Sequence, residues 1–159
     1  MAQAARITSA ASDRVKAVRA LHGRSGRRKA GRFLVEGPQA VRSALAAGVV
    51  VHDLFVAEDA GSGVSDLASD ARATVVAPAV LAAMAETQTP QGVVAVCGLL
   101  PVVSLDSLMG ARGPVVVLDA VSDPGNVGTV IRTADATGAA GVVLTAGSAD
   151  PHKIGRAHV

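Results

Sequence analysis

The chain has 159 residues, half of them apolar, a net charge of +2 and only two aromatic side chains, both Phe. There is room for one average domain, or for a small domain and part of another, with a core of Val, Ala and Leu. Scarce aromatics argue against binding single strands by base stacking, and a single cysteine, Cys97, excludes an internal disulfide framework. Cys97 sits in an apolar run and reads as a small buried hydrophobe.

Charge is distributed unevenly. Residues 1–32 hold nine basic side chains (Arg6, Arg14, Lys16, Arg19, Arg24, Arg27, Arg28, Lys29 and Arg32) against Asp13, whereas the other 127 hold six basic and twelve acidic ones. A basic arm on an acidic body points either to a polyanionic partner or to a solvated tail. The N-terminus lacks a signal-like apolar core, and the longest apolar runs are too short to span a bilayer. A soluble, cytoplasmic protein without a membrane partner is expected.

Ser12 is suited to cap a first helix, with Val15, Val18 and Leu21 at helical spacing. Gly23 to Arg32 reads as a flexible, highly basic loop. Phe33–Glu36 follows as a strand, and Gly37-Pro38 opens a helix that Gly48 closes. A second strand spans 49–57, a turn 61–63, a short helix 64–71, a strand 74–77, a helix 78–86 and a buried strand 92–99. Strands alternating with helices predict an α/β layer fold. Residues 101–113 read as a linker with one short helical turn. Strand 115–118, helix 128–138 and strand 141–144 then make a βαβ unit. One helix and two strands cannot bury both faces of a parallel sheet.

The loop inside that unit, Asp119-Ala120-Val121-Ser122-Asp123-Pro124-Gly125-Asn126-Val127-Gly128, followed by Arg132-Thr133-Ala134, has ten or so defined positions at fixed spacing. It resembles the first signature motif of the SpoU (TrmH-type) RNA 2′-O-ribose methyltransferases of the SPOUT superfamily. The segments ahead of it (Val18–Leu21, the basic stretch, Phe33–Gly37 and Thr89–Val96) follow the order of that family's substrate-binding domain. The resemblance implies a small N-terminal α/β substrate-binding domain at 1–100 and a linker at 101–113. After these it implies the first βαβ of a truncated α/β-knot methyltransferase domain at 114–152. Two later family motifs, which complete the knot and hold the cofactor, are missing. Residues 153–159 match the translation of a common sequencing-adaptor string, so Arg156 and His158 are given no role.

By the resemblance, the parent protein transfers methyl from S-adenosylmethionine to a ribose of ribosomal or transfer RNA. It is expected to act as a homodimer; this fragment is expected to be inactive, not dimeric and without a cofactor site. Arg132 and Asn126 are the expected catalytic residues. Arg132 serves either as a perturbed base or, since guanidinium is normally protonated, as a stabiliser of the developing alkoxide. The alternatives are an Arg132–Asp135 surface pair at i,i+3 and an N-cap role for Asn126. Arg24, Arg27, Arg28, Lys29 and Arg32 are the expected phosphate contacts. Glu36 is either an RNA or interdomain contact or a satisfied strand-end carboxylate. The loop lacks the G-x-G-x-x-G of a dinucleotide site. His22, His52, His152 and His158 lack metal-ligand spacing. A non-catalytic RNA-binding module and a small-molecule α/β enzyme are the other readings.

Overall fold

The computed structural model describes Ile7 and residues 9–152; the expected adaptor-derived tail lies outside them. The chain divides after Leu100 into two compact units. The first runs α1 (Asp13–Ala20), α2 (Arg24–Ala30), β1 (Arg32–Glu36), α3 (Pro38–Ala46), β2 (Val51–Ala57), a 3-10 turn at Ser62–Val64, α4 (Ser65–Ala68), β3 (Ala73–Val76), α5 (Pro78–Met84) and β4 (Val93–Gly98). The sheet order is β1-β4-β2-β3, with β4 antiparallel to both neighbours and β2 parallel to β3.

Alternation along the strands assigns the two faces. Val94 and Val96 of β4, with Leu34, Phe55 and Val76, pack under Val15, Val18 and Leu21 and under Val80, Leu81 and Met84. Val93, Ala95 and Cys97 point the other way, with Val35, Leu54 and Val56, and meet Val41 of α3 and Leu67 of α4. The sheet is therefore covered by α1 and α5 on one side and by α3 and α4 on the other. This explains why β4 is apolar at every position and not at alternate ones.

Local chemistry sets most of the ends. The Ser12 hydroxyl accepts from the Val15 amide at 3.3 Å, and Pro38 and Pro78 open their helices at the first turn. The segment expected as a helix at 64–71 is instead a 3-10 turn followed by the single-turn α4. The Asp70 carboxylate accepts the Arg72 amide at 2.9 Å and turns the chain back into β3.

The main departure is at 24–30. This stretch is a helix, not a flexible loop. Composition hides it, because Gly26 and the crowded cations make a poor helix on propensity alone. The helix is tied to the end of α1 by its own Arg27, and Gly31 closes it in the left-handed conformation at φ 64°.

Cys97 is fully buried, and burial pushes its thiol up to about 11. Native protein at pH 8 is therefore expected to resist a thiol-specific reagent and to label fully once unfolded. Rapid native labelling would contradict its place in the core.

The second unit contains α6 (Leu105–Met109), β5 (Val115–Leu118), α7 (Pro124–Ala136) and β6 (Gly141–Leu144). β5 and β6 pair in parallel, Val115 opposite Gly141 through Leu118 opposite Leu144, and α7 is the crossover. Leu118, Val127 and Ala134 are buried, but Val117 is 59% exposed and no residue of β6 is fully buried. Mixed α/β architecture is thus observed in both units, each with an open sheet.

Candidate functional site

Two groups of predicted residues form recognisable surfaces, one in each unit. In the first unit, α2 turns back against the end of α1. A β-carbon on Gly26 would overlap the carbonyl oxygen of Ala20, so the two backbones touch there. The next residue locks the contact. One Arg27 terminal nitrogen donates to the carbonyls of Leu21 and His22, both at 2.8 Å. Arg27 is only 3% exposed, so it is not a phosphate contact as expected. Its guanidinium satisfies carbonyls that the end of α1 leaves over. Arg24, Arg28 and Lys29 are exposed on α2, and half-buried Arg32 starts β1 just after it.

Ion pairing divides the cations of this unit. Arg14 binds Asp53 at 2.6 Å and lies over the Phe55 ring, and Lys16 binds Asp13 at 3.1 Å. Arg42 holds Asp66 with two bonds, 2.7 and 2.8 Å, and Arg72 holds Asp70 at 2.6 and 2.8 Å. Each of these two arginines draws its carboxyl down to about 2, mainly through the side-chain hydrogen bonds. Arg19, Arg28, Lys29 and Arg32 have no acidic partner among the described residues.

Glu36 lies away from that corner in function. Its carboxylate accepts from the Glu86 amide at 2.7 Å, the Thr87 amide at 3.2 Å and the Thr87 hydroxyl at 2.8 Å. It tethers the chain leaving α5, beside the His22 ring, which hydrogen-bonds the Met84 carbonyl at 2.8 Å. This is the satisfied strand-end carboxylate.

In the second unit, α7 starts at Pro124, four residues before its expected start. Asp123, not Asn126, is the N-cap: its carboxylate accepts the Asn126 amide at 2.7 Å. Asn126 occupies the third helical position, exposed, with its side-chain amide making no hydrogen bond among the described residues. Arg132 is exposed on the same helix and donates to the Thr129 hydroxyl at 3.3 Å, which in turn donates to the Gly125 carbonyl at 2.9 Å. The expected alternative pair with Asp135 does not form. Thr129 thus stands between Arg132 and the first turn of α7.

Residues that the sequence did not single out shape the approach to this helix. The Thr145 hydroxyl donates to the Asp119 carboxylate at 2.6 Å and accepts the Ala120 amide at 3.1 Å. Ala120 takes φ 52°, the one non-glycine residue with positive φ among those described. The Ser148 hydroxyl donates to the Leu118 carbonyl at 3.2 Å, and the Ala149 amide to the Val121 carbonyl at 2.8 Å. The only advance signal for Thr145 was a polar residue directly after a buried-type strand. These loops follow the carboxyl ends of parallel strands, where α/β proteins place ligands. Here the donors of Thr145, Ser148, Ala120 and Ala149 are spent within the loops themselves. No described helix is long and apolar enough to cross a membrane.

Comparison with known proteins matches both units. The MRM3-like substrate binding domain matches residues 12–95, and the SpoU rRNA methylase family matches residues 113–158. The chain is 39% identical over 91% of its length to the 23S rRNA (guanosine(2553)-2′-O)-methyltransferase RlmP of Bacillus subtilis, and covers 56% of that protein. It is 37% identical to a tRNA/rRNA methyltransferase of Synechocystis, covering 92% of this chain and 55% of the relative. Among solved structures, the SpoU methyltransferase AviRb of Streptomyces viridochromogenes, in complex with AdoMet, aligns with a TM-score of 0.78 at 31% identity, over 92% of this chain and 58% of that one. An AdoMet-bound rRNA methyltransferase of Sinorhizobium meliloti aligns at 0.75 and 29% identity, over 96% and 59%. A substrate-binding α/β domain followed by the opening βαβ of a methylase domain defines the class as RNA methyltransferase. The chain belongs to the SpoU/TrmH family of RNA methyltransferases. It spans a little over half the length of the curated relatives it matches.

Proposed function

We propose that residues 1–100 form the RNA-binding domain, and residues 114–152 the catalytic loop and helix, of a 2′-O-ribose methyltransferase acting on ribosomal or transfer RNA in the cytoplasm. The observation that carries this reading is α7. Its first turn is fixed by the Asp123 cap, and it presents Asn126 and Arg132 exposed and without acidic partners. The named activity of the Bacillus relative supports the 2′-oxygen as acceptor. S-Adenosylmethionine, bound in two of the aligned structures, is the proposed methyl source, held by residues beyond those described.

Arg132 acts on the acceptor. A ribose hydroxyl is a poor nucleophile, and the step must accommodate negative charge growing on its oxygen. A guanidinium is cationic at any working pH, so Arg132 stabilises that charge and a phosphate or water takes the proton. Asn126, one helical turn from Thr129, orients the substrate or the guanidinium.

The second unit's open sheet supports a requirement for further strands. The 159-residue chain alone is therefore proposed to bind RNA but neither S-adenosylmethionine nor a second copy, and to transfer no methyl. Joining residues 1–152 to the remaining C-terminal part of RlmP supplies a complete methylase domain. The test is methyl transfer from tritiated S-adenosylmethionine to ribosomal RNA, with the product mapped by resistance to alkaline cleavage. Expected are 2′-O-methylation by the chimera and none by the chain alone. Base methylation by the chimera would overturn the assignment. Micromolar cofactor binding by the chain alone would overturn the division of labour.

A further inference from the structure

We propose that the corner formed by α2 and the start of β1 is a preformed docking surface for the phosphate backbone of double-helical RNA, and that it discriminates against single strands. The inference deepens the RNA-binding reading above and rests on it.

Three observations carry it. First, among the described residues of the first unit, cations without a carboxylate partner gather around this corner. Arg14, Lys16, Arg42 and Arg72 are each engaged with a carboxylate, while Arg19 in the last turn of α1, Arg28, Lys29 and Arg32 have none among the described residues. Second, the cations are held in place. The Gly26 contact and the Arg27 bonds to Leu21 and His22 fasten α2 to the end of α1, so the charges do not sit on a loose arm. Third, the unit offers no stacking platform. Phe55 is fully buried and half-buried Phe33 packs against the core, and there is no Trp or Tyr in the chain.

Single-strand binders draw much of their affinity from bases stacked on aromatics, and this surface cannot. What it offers is a fixed array of positive charge, which is matched best by a fixed, dense array of phosphates. A duplex carries about twice the linear charge density of one strand and releases more counterions per contact, about 0.9 against 0.7 per phosphate. Its backbone also needs no ordering on binding. The same logic assigns Arg27 a positioning role, since its own guanidinium is buried and bonds the Leu21 and His22 carbonyls.

The experiment uses the 159-residue chain with a blunt RNA duplex and an unstructured oligouridylate of equal phosphate count, titrated over a range of salt. The duplex is expected to bind at least about tenfold more tightly. Arg28→Ala/Lys29→Ala should lower the duplex salt slope by roughly 2. Arg42→Ala/Arg72→Ala removes the same charge from paired positions and should leave the slope unchanged. Oligouridylate binding as tight as the duplex, with a clear salt slope, would overturn this inference and leave the RNA-binding reading standing. No salt-dependent binding to either RNA would overturn both. Equal losses in the two double variants would show that net charge, and not this corner, holds the RNA.

Discussion

Arg132→Ala in the chimera with RlmP should reduce methyl transfer by on the order of a thousandfold, the scale lost when a single donor to a developing oxyanion is removed. RNA affinity should change little, because in the proposed role the side chain acts on the reacting oxygen and contributes little to holding the substrate. Arg132→Lys should fail nearly as badly. An ammonium supplies the charge but not the planar fork that, in the proposed role, addresses Thr129 and the substrate oxygen together. The measurement is single-turnover transfer at saturating RNA and cofactor, which isolates the chemical step. Turnover within a few fold of the parent in either variant would make Arg132 an ordinary surface residue of α7.

The second large effect is on stability, and its sign is diagnostic. Replacing a helical glycine by alanine ordinarily stabilises a protein by up to about 1 kcal/mol. Gly26→Ala should instead destabilise the first unit by several times that amount, because the new carbon overlaps the Ala20 carbonyl and the backbones of α1 and α2 must part. Arg27→Ala should be comparably harmful, about 3 kcal/mol or more. It leaves the Leu21 and His22 carbonyls without their donor and opens a cavity where a buried side chain stood. Urea unfolding followed by circular dichroism measures both. A Gly26→Ala protein more stable than the parent would show that α2 does not seat on α1.

These two residues also mark where the sequence was legible and where it was not. Positions whose role is local could be read directly. Ser12 caps the helix it was expected to cap, Pro38 and Pro78 start theirs, and the apolar run at 92–99 is the central strand. The fold class and the family followed from such signals and from the spaced motif around Asp123-Pro124. Arg27 looked like its neighbours Arg24 and Arg28, since nothing in a run of cations distinguishes the one that turns inward. Asp123 and Asn126 are both good caps by chemistry, and only the helix start at Pro124 separates them. Glu36 allowed two readings because its partners, Glu86 and Thr87, stand fifty residues away in sequence.

The left-handed Ala120 makes the loop before α7 depend on a distant residue. A left-handed alanine costs about 1 kcal/mol or more, and the hydroxyl that accepts its amide belongs to Thr145, on the far side of the crossover. Closing that 25-residue loop must precede the bond that compensates the strain. The bend leading into α7 is therefore compensated only with β6 alongside β5. A peptide spanning Leu118 to Ala136 would carry every signature residue and still lack their arrangement. The motif that is so plain in one dimension depends for its three-dimensional arrangement on a partner beyond its own segment.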